Sequence, residues 1–133
     1  MPITVTNVAG NTNYANPCPN GIISPASVKL DISGMTSDEI DANGYLKPGV
    51  PLTRAGILVG SGVAVWGVTF EAVKVCADNE SGTIAAATDC FVTVETVGLV
   101  NRDIAEDNLG RAYTSDEIAG FAIAGTTLHL TTT

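Results

Sequence analysis

Hydrophobic and polar positions alternate with a period of two in two clear places. From Ser27 to Ser33, Val28, Leu30 and Ile32 alternate with Lys29, Asp31 and Ser33. From Phe91 to Val97, Phe91, Thr93, Glu95 and Val97 fall on one side, with Val92, Val94 and Thr96 on the other. Side chains of a strand point to opposite faces in turn, so both stretches predict half-buried strands. The apolar stretch Ile57 to Cys76 predicts two more, about Ile57–Val59 and Val63–Val75, punctuated by glycine. Phe70, Val73 and Val75 do not hold one phase, which predicts a bulge or bend. A last β segment, Thr126–Leu130, places Leu128 and Leu130 on one side.

Two stretches, Asp103–Leu109 and Ser115–Ile123, are predicted helices. The second opens on Thr114-Ser115-Asp116-Glu117-Ile118, a pentapeptide already present as Thr36-Ser37-Asp38-Glu39-Ile40. In each copy a threonine and a glutamate three residues later can satisfy each other's free backbone amides, and the acids suit the positive end of a helix. The flanking sequences differ, so the recurrence is one of capping chemistry rather than an internal repeat. The first copy starts no more than a turn, because Asn43-Gly44 and then Pro48 and Pro51 interrupt it. Asp78–Gly82 reads as a polar turn.

Residues 1–26 have another texture. Pro2, Pro17, Pro19 and Pro25, with asparagine at 7, 11, 13, 16 and 20, block helix and favour an extended N-terminal arm. Ile3, Val5 and Val8 make it β-capable, able to pair with the chain's own sheet or another chain's edge. Residues 27–133 are then a single β-rich domain.

Composition agrees. The 133 residues hold 40 β-branched side chains against 22 of Leu, Glu, Lys, Arg, Met and Gln, so the expected class is mainly β with one or two short helices. Hydrophobic residues at 45% and charged ones at 15%, with a mean hydropathy of +0.28, exclude a disordered chain. The net charge of −8, with Lys29, Lys47, Arg54, Lys74, Arg102 and Arg111 dispersed, excludes nucleic acid as the main partner. The uncharged apolar stretch Ala55–Phe70 is too short and too glycine-rich to span a bilayer, so no membrane partner is expected. No leader-like segment opens the sequence, which implies synthesis in the cytoplasm. Cys18, Cys76 and Cys90 are expected as free buried thiols, although Cys76 and Cys90 flank a possible hairpin loop.

Candidate chemistry is sparse. The one histidine, His129, lies in an alternating segment with no signature around any serine or cysteine, so a nucleophilic triad has no support. The acids Asp38/Glu39/Asp41, Asp103/Glu106/Asp107 and Asp116/Glu117 sit at helix starts or on solvated faces. Asp41-Ala42-Asn43-Gly44 begins like a calcium loop but lacks its later ligands. No phosphate-binding glycine motif occurs. The expectation is a non-enzymatic protein with no cofactor and no metal.

Several segments carry a resemblance. Thr114–Glu117 with Phe121-Ala122-Ile123-Ala124-Gly125-Thr126-Thr127-Leu128-His129-Leu130 resembles the C-terminal end of the lambda-type head decoration proteins of tailed bacteriophages. Pro51-Leu52 and Trp66-Gly67-Val68-Thr69-Phe70-Glu71-Ala72-Val73 are similar to that family's proline-leucine start and glycine-centred core strand. The loop Ala77–Cys90 and the segment Asn101–Arg111 have no counterpart. The resemblance implies a small barrel- or tulip-like β domain with an extended arm. It implies a homotrimer on the outer surface of an expanded icosahedral head, bound to the major capsid protein and stabilising the shell. Pro2, Ile3, Thr4, Val5, Thr6 and Val8 of the arm are then the expected capsid contacts. The alternative is an Ig-like or other β-sandwich binding module on a virion or cell surface.

Overall fold

The computed structural model describes residues 14–18, 25–75, 90–124 and 128–131. They form eight strands and two helices: β1 (Pro25–Lys29), β2 (Tyr45–Leu46), β3 (Pro51–Leu52), β4 (Gly67–Thr69), β5 (Val73–Lys74), β6 (Phe91–Glu95), β7 (Gly98–Asn101), α1 (Arg102–Leu109), α2 (Ser115–Ala124) and β8 (Leu128–Thr131). The protein is mainly β with two short helices, and its described strands do not close into a barrel. One antiparallel sheet has the order β1-β6-β4-β3, β2 pairs with β5, and β7 pairs in parallel with β8.

The alternating stretches become β1 and β6, in register from Pro25 opposite Glu95 to Lys29 opposite Phe91. Val28, Leu30, Ile32, Val92 and Val94 are buried, as the period of two requires. The ladder stops at Lys29, although the burial alternation runs on to Ser33. The chain there leaves β6: Leu30 N–H still donates to Cys90 O at 2.8 Å, but Asp31 N–H donates to Gly56 O at 3.0 Å. Gly56 sits at φ +80°, and a Cβ on it would lie 2.0 Å from Lys29 O, so only glycine lets this turn close on β1.

Expectation and structure part in the middle of the chain. Ile57–Val59 forms no strand, only a single bridge between Leu52 and Leu58. Val63–Val75 is broken into β4 and β5 with a bend at Glu71, the interruption that the phase change predicted. β5 pairs with β2, a strand hidden in sequence by the prolines that follow it.

Both helices form as expected, one residue longer at one end. Asn101 caps α1, its Oδ1 accepting from Ile104 N–H at 3.1 Å, and Gly110 ends it in the left-handed conformation. At α2 the capping box is reciprocal: Thr114 N–H donates to Glu117 Oε1 at 2.8 Å, and Glu117 N–H to Thr114 Oγ1 at 3.1 Å. In the first copy Thr36 N–H donates to Glu39 Oε1 at 2.9 Å, and a single turn follows.

Within the 1–26 stretch expected to be an arm, Tyr14–Cys18 is packed on the domain. Tyr14 Oη–H donates to Asp41 Oδ2 at 2.9 Å, Asn101 N–H donates to Pro17 O at 2.7 Å, and Cys18 joins the core. The polar turn at Asp78–Gly82 lies outside the described residues.

Candidate functional site

Between β3 and β4 the chain doubles back twice. Thr53 N–H donates to Ile57 O and Gly56 N–H to Thr53 O, which makes a tight loop with Arg54 and Ala55 at its tip. Trp66 N–H returns to Leu52 O at 2.9 Å. The two arms of the excursion enclose an open groove of about 570 Å³, floored by Thr53, Leu58, Val65 and Trp66 and rimmed by Ile57 and Val63. Both rim residues are about two-fifths exposed, and Arg54 at the mouth is exposed. α2 braces the groove from behind. Val65 N–H donates to Gly120 O at 3.1 Å, and a Cβ at Gly120 would meet Val59 Cγ1 at 2.8 Å, so a side chain there would push the helix off the groove wall. The stretch expected to form the strands at Ile57–Val59 and Val63–Val75 is therefore partly an exposed apolar surface. Apolar groups held out in water beside a cation are the makings of a binding surface.

A second cluster is electrostatic. Glu39 and Glu117, the glutamates of the two pentapeptides, are buried, and both turn to Arg111. Its Nη2 lies 2.9 Å from Glu39 Oε2, and its Nη1 lies 2.8 Å from Glu117 Oε1. Hydrogen bonding to Glu117 above all, and also to Glu39, holds the guanidinium more firmly protonated than an ordinary arginine, against the opposing effect of burial. The capping role stands. What spacing could not reveal is that the caps, 78 residues apart, share one cation.

A third group is hidden. Glu95 is fully buried, and neither carboxylate oxygen has a hydrogen-bond partner of normal geometry among the described residues. The alternation puts Glu95 on the side of Phe91, which is 61% exposed, but Cys18 lies against Glu95 at its end of that face. Burial pushes the Glu95 carboxyl up, partly offset by its neighbour Cys18. Burial first, and Glu95 second, push the Cys18 thiol up. A thiol so held is a poor nucleophile.

The other candidates do not assemble with these. His129 is exposed on β8, opposite Leu99 of β7. Asp41 Oδ1 accepts from Asn43 N–H and Tyr45 N–H at 2.9 and 3.0 Å, so this carboxylate closes its own turn. No three potential metal-binding side chains come together among the described residues, and no described helix is long and apolar enough to cross a membrane. Pro2, Ile3, Thr4, Val5, Thr6 and Val8, the expected capsid contacts, lie outside the described residues, as does Cys76.

The chain matches no family model, no curated protein and no solved structure.

The groove offers surface recognition: apolar contact plus one positive charge. The Cys18–Glu95 pair offers a stability switch instead. Burial makes the native Glu95 carboxyl give up its proton at higher pH than the same group in the unfolded chain. This contribution is complete at low pH and is lost as pH rises through the raised native pKa. We expect Glu95→Gln to remove that part of the decline, so that the variant's stability falls less steeply with rising pH than the parent's. Urea unfolding at pH 5, 6, 7 and 8 reads this directly, and identical pH slopes for the two proteins would contradict it.

Proposed function

We propose that this protein is a non-enzymatic capsid decoration protein. It binds the outer surface of an expanded icosahedral phage head as a homotrimer and stabilises it, with the major capsid protein as partner. The compact barrel- or tulip-like shape and the arm contacts at Pro2–Thr6 and Val8 belong to this reading. One observation supports it most: two of the segments that resemble the decoration family, Pro51-Leu52 and Trp66–Val73, pair with each other, Pro51 opposite Val68 and Leu52 opposite Gly67, with Trp66 N–H donating to Leu52 O. Beside them Val65 N–H donates to Gly120 O of α2, which packs on β8. An Ig-like sandwich is served less well, since only one of the described sheets has more than two strands.

Mixing the protein with expanded shells that lack a decoration protein, then sedimenting, tests the proposal. Saturable co-sedimentation is expected. Removing residues 1–13 should leave a folded protein that binds about tenfold or more weakly, because many small contacts multiply over a shell. A protein that stays in the supernatant and has a monomeric mass in solution would sink the reading.

A further inference from the structure

We propose that the groove at Thr53–Trp66 receives the outer face of α2 from a second copy of this chain, with Asp116 of that copy set against Arg54. The inference deepens the homotrimer reading above and rests on it for closure at three, although the contact has its own test.

The cation comes first. Among the described residues, Lys47 donates to Leu109 O, Arg102 pairs with Glu106 and Arg111 with Glu39 and Glu117; Lys74 lies over the Tyr45 ring, and Lys29 has a partner too. Arg54 is exposed and has no hydrogen bond or ion pair there. It stands at the mouth of an apolar groove on a chain of net charge −8, so another copy is an electrostatically favoured partner.

The helix supplies the complement. Glu117, Gly120 and Phe121 form the buried face of α2, whereas Asp116, Ala119 and Ile123 are exposed. Their spacing of three and then four residues puts these three on one stripe. Ile123 is 53% exposed, the small Ala119 lets a backbone approach, and Asp116 stands at the end away from Ile123. The stripe from Asp116 to Ile123 is about 10 Å long. Apolar side chains can fill the groove while the carboxylate reaches its mouth.

Groove and stripe are different surfaces of one chain, so the contact is head-to-tail. Contacts of that kind generate rings when the rotation closes. A ring of three presents three arms and three acidic exteriors alike, which is what a threefold position on a shell requires.

The test is a charge exchange read by sedimentation velocity over a range of concentrations. Arg54→Glu and Asp116→Lys are each expected to raise the concentration at half-association about tenfold, and the double exchange to restore it to within about threefold. Asp116→Asn, milder at a helix start, should give a smaller loss. Circular dichroism and melting verify that each variant is folded. Folded single variants that associate like the parent, or a double variant that is not restored, overturn the proposal. A parent chain that stays monomeric also overturns it; if that monomer still sediments with shells, the decoration reading stands without this contact. A charge-coupled oligomer that ignores shells keeps the contact and removes the decoration reading.

Discussion

Replacing Arg111 with methionine is expected to destabilise the protein by about 3–5 kcal/mol, because it strands two buried carboxylates at once. Glu39 and Glu117 are 3% and 2% exposed, and Arg111 is the cation that faces both. For a chain of this size the loss corresponds to a melting point lower by about 10–20 °C. The cause can be separated from lost packing. Arg111→Met combined with Glu39→Gln and Glu117→Gln removes the charges but keeps the capping bonds, since glutamine serves in a capping box as glutamate does. Most of the stability should return in the triple variant. Thermal melts of the three proteins decide this, and a triple variant as unstable as Arg111→Met would show that the guanidinium acts by packing.

The second large effect is steric. Gly56→Ala is expected to cost about 4 kcal/mol or more, combining an unfavourable left-handed conformation with a forced backbone shift. Gly110 provides the comparison. Its φ of +71° is close to the +80° of Gly56, yet a Cβ there meets nothing within 4 Å, whereas at Gly56 it would lie 2.0 Å from Lys29 O. Gly110→Ala should therefore cost only about 1–2 kcal/mol, the price of conformation alone. Equal losses for the two variants, measured by urea unfolding, would mean that the turn moves away from β1 without resistance.

Local signals were legible in the sequence, and contacts between distant residues were not. Both helices, the two capping boxes, the Asn43-Gly44 turn and the alternation of Val28, Leu30 and Ile32 against Val92 and Val94 follow from spacing within a few residues. The parallel pairing of β7 with β8 leaves no such mark, because its partners are separated by α1 and α2. β2 escapes notice because two paired residues are too few to show a period. The phase puts Glu95 on the right face of β6 but says nothing of its burial, since its neighbour Cys18 is far away along the chain. The groove leaves no mark in the hydrophobic pattern. Ala55–Phe70 has the hydrophobicity of buried strands, but its glycines fold it into a doubled loop that keeps Ile57 and Val63 in water.

The sharing of Arg111 has a topological side. Pairing of Pro25 with Glu95 closes one long loop of chain, and pairing of Gly98 with Leu128 closes a second, directly after the first. One pentapeptide lies inside each: Glu39 in the first loop, Glu117 in the second. Arg111 belongs to the second and reaches across to the first, so it works as a rivet between two closures in series. The groove wall resting on Gly120 is a second rivet, from Val65 of the first loop to α2 of the second. Tyr113 Oη–H to Gly49 O and Lys47 Nζ to Leu109 O tie the same two closures, so a load taken up on either sub-assembly is carried by the other.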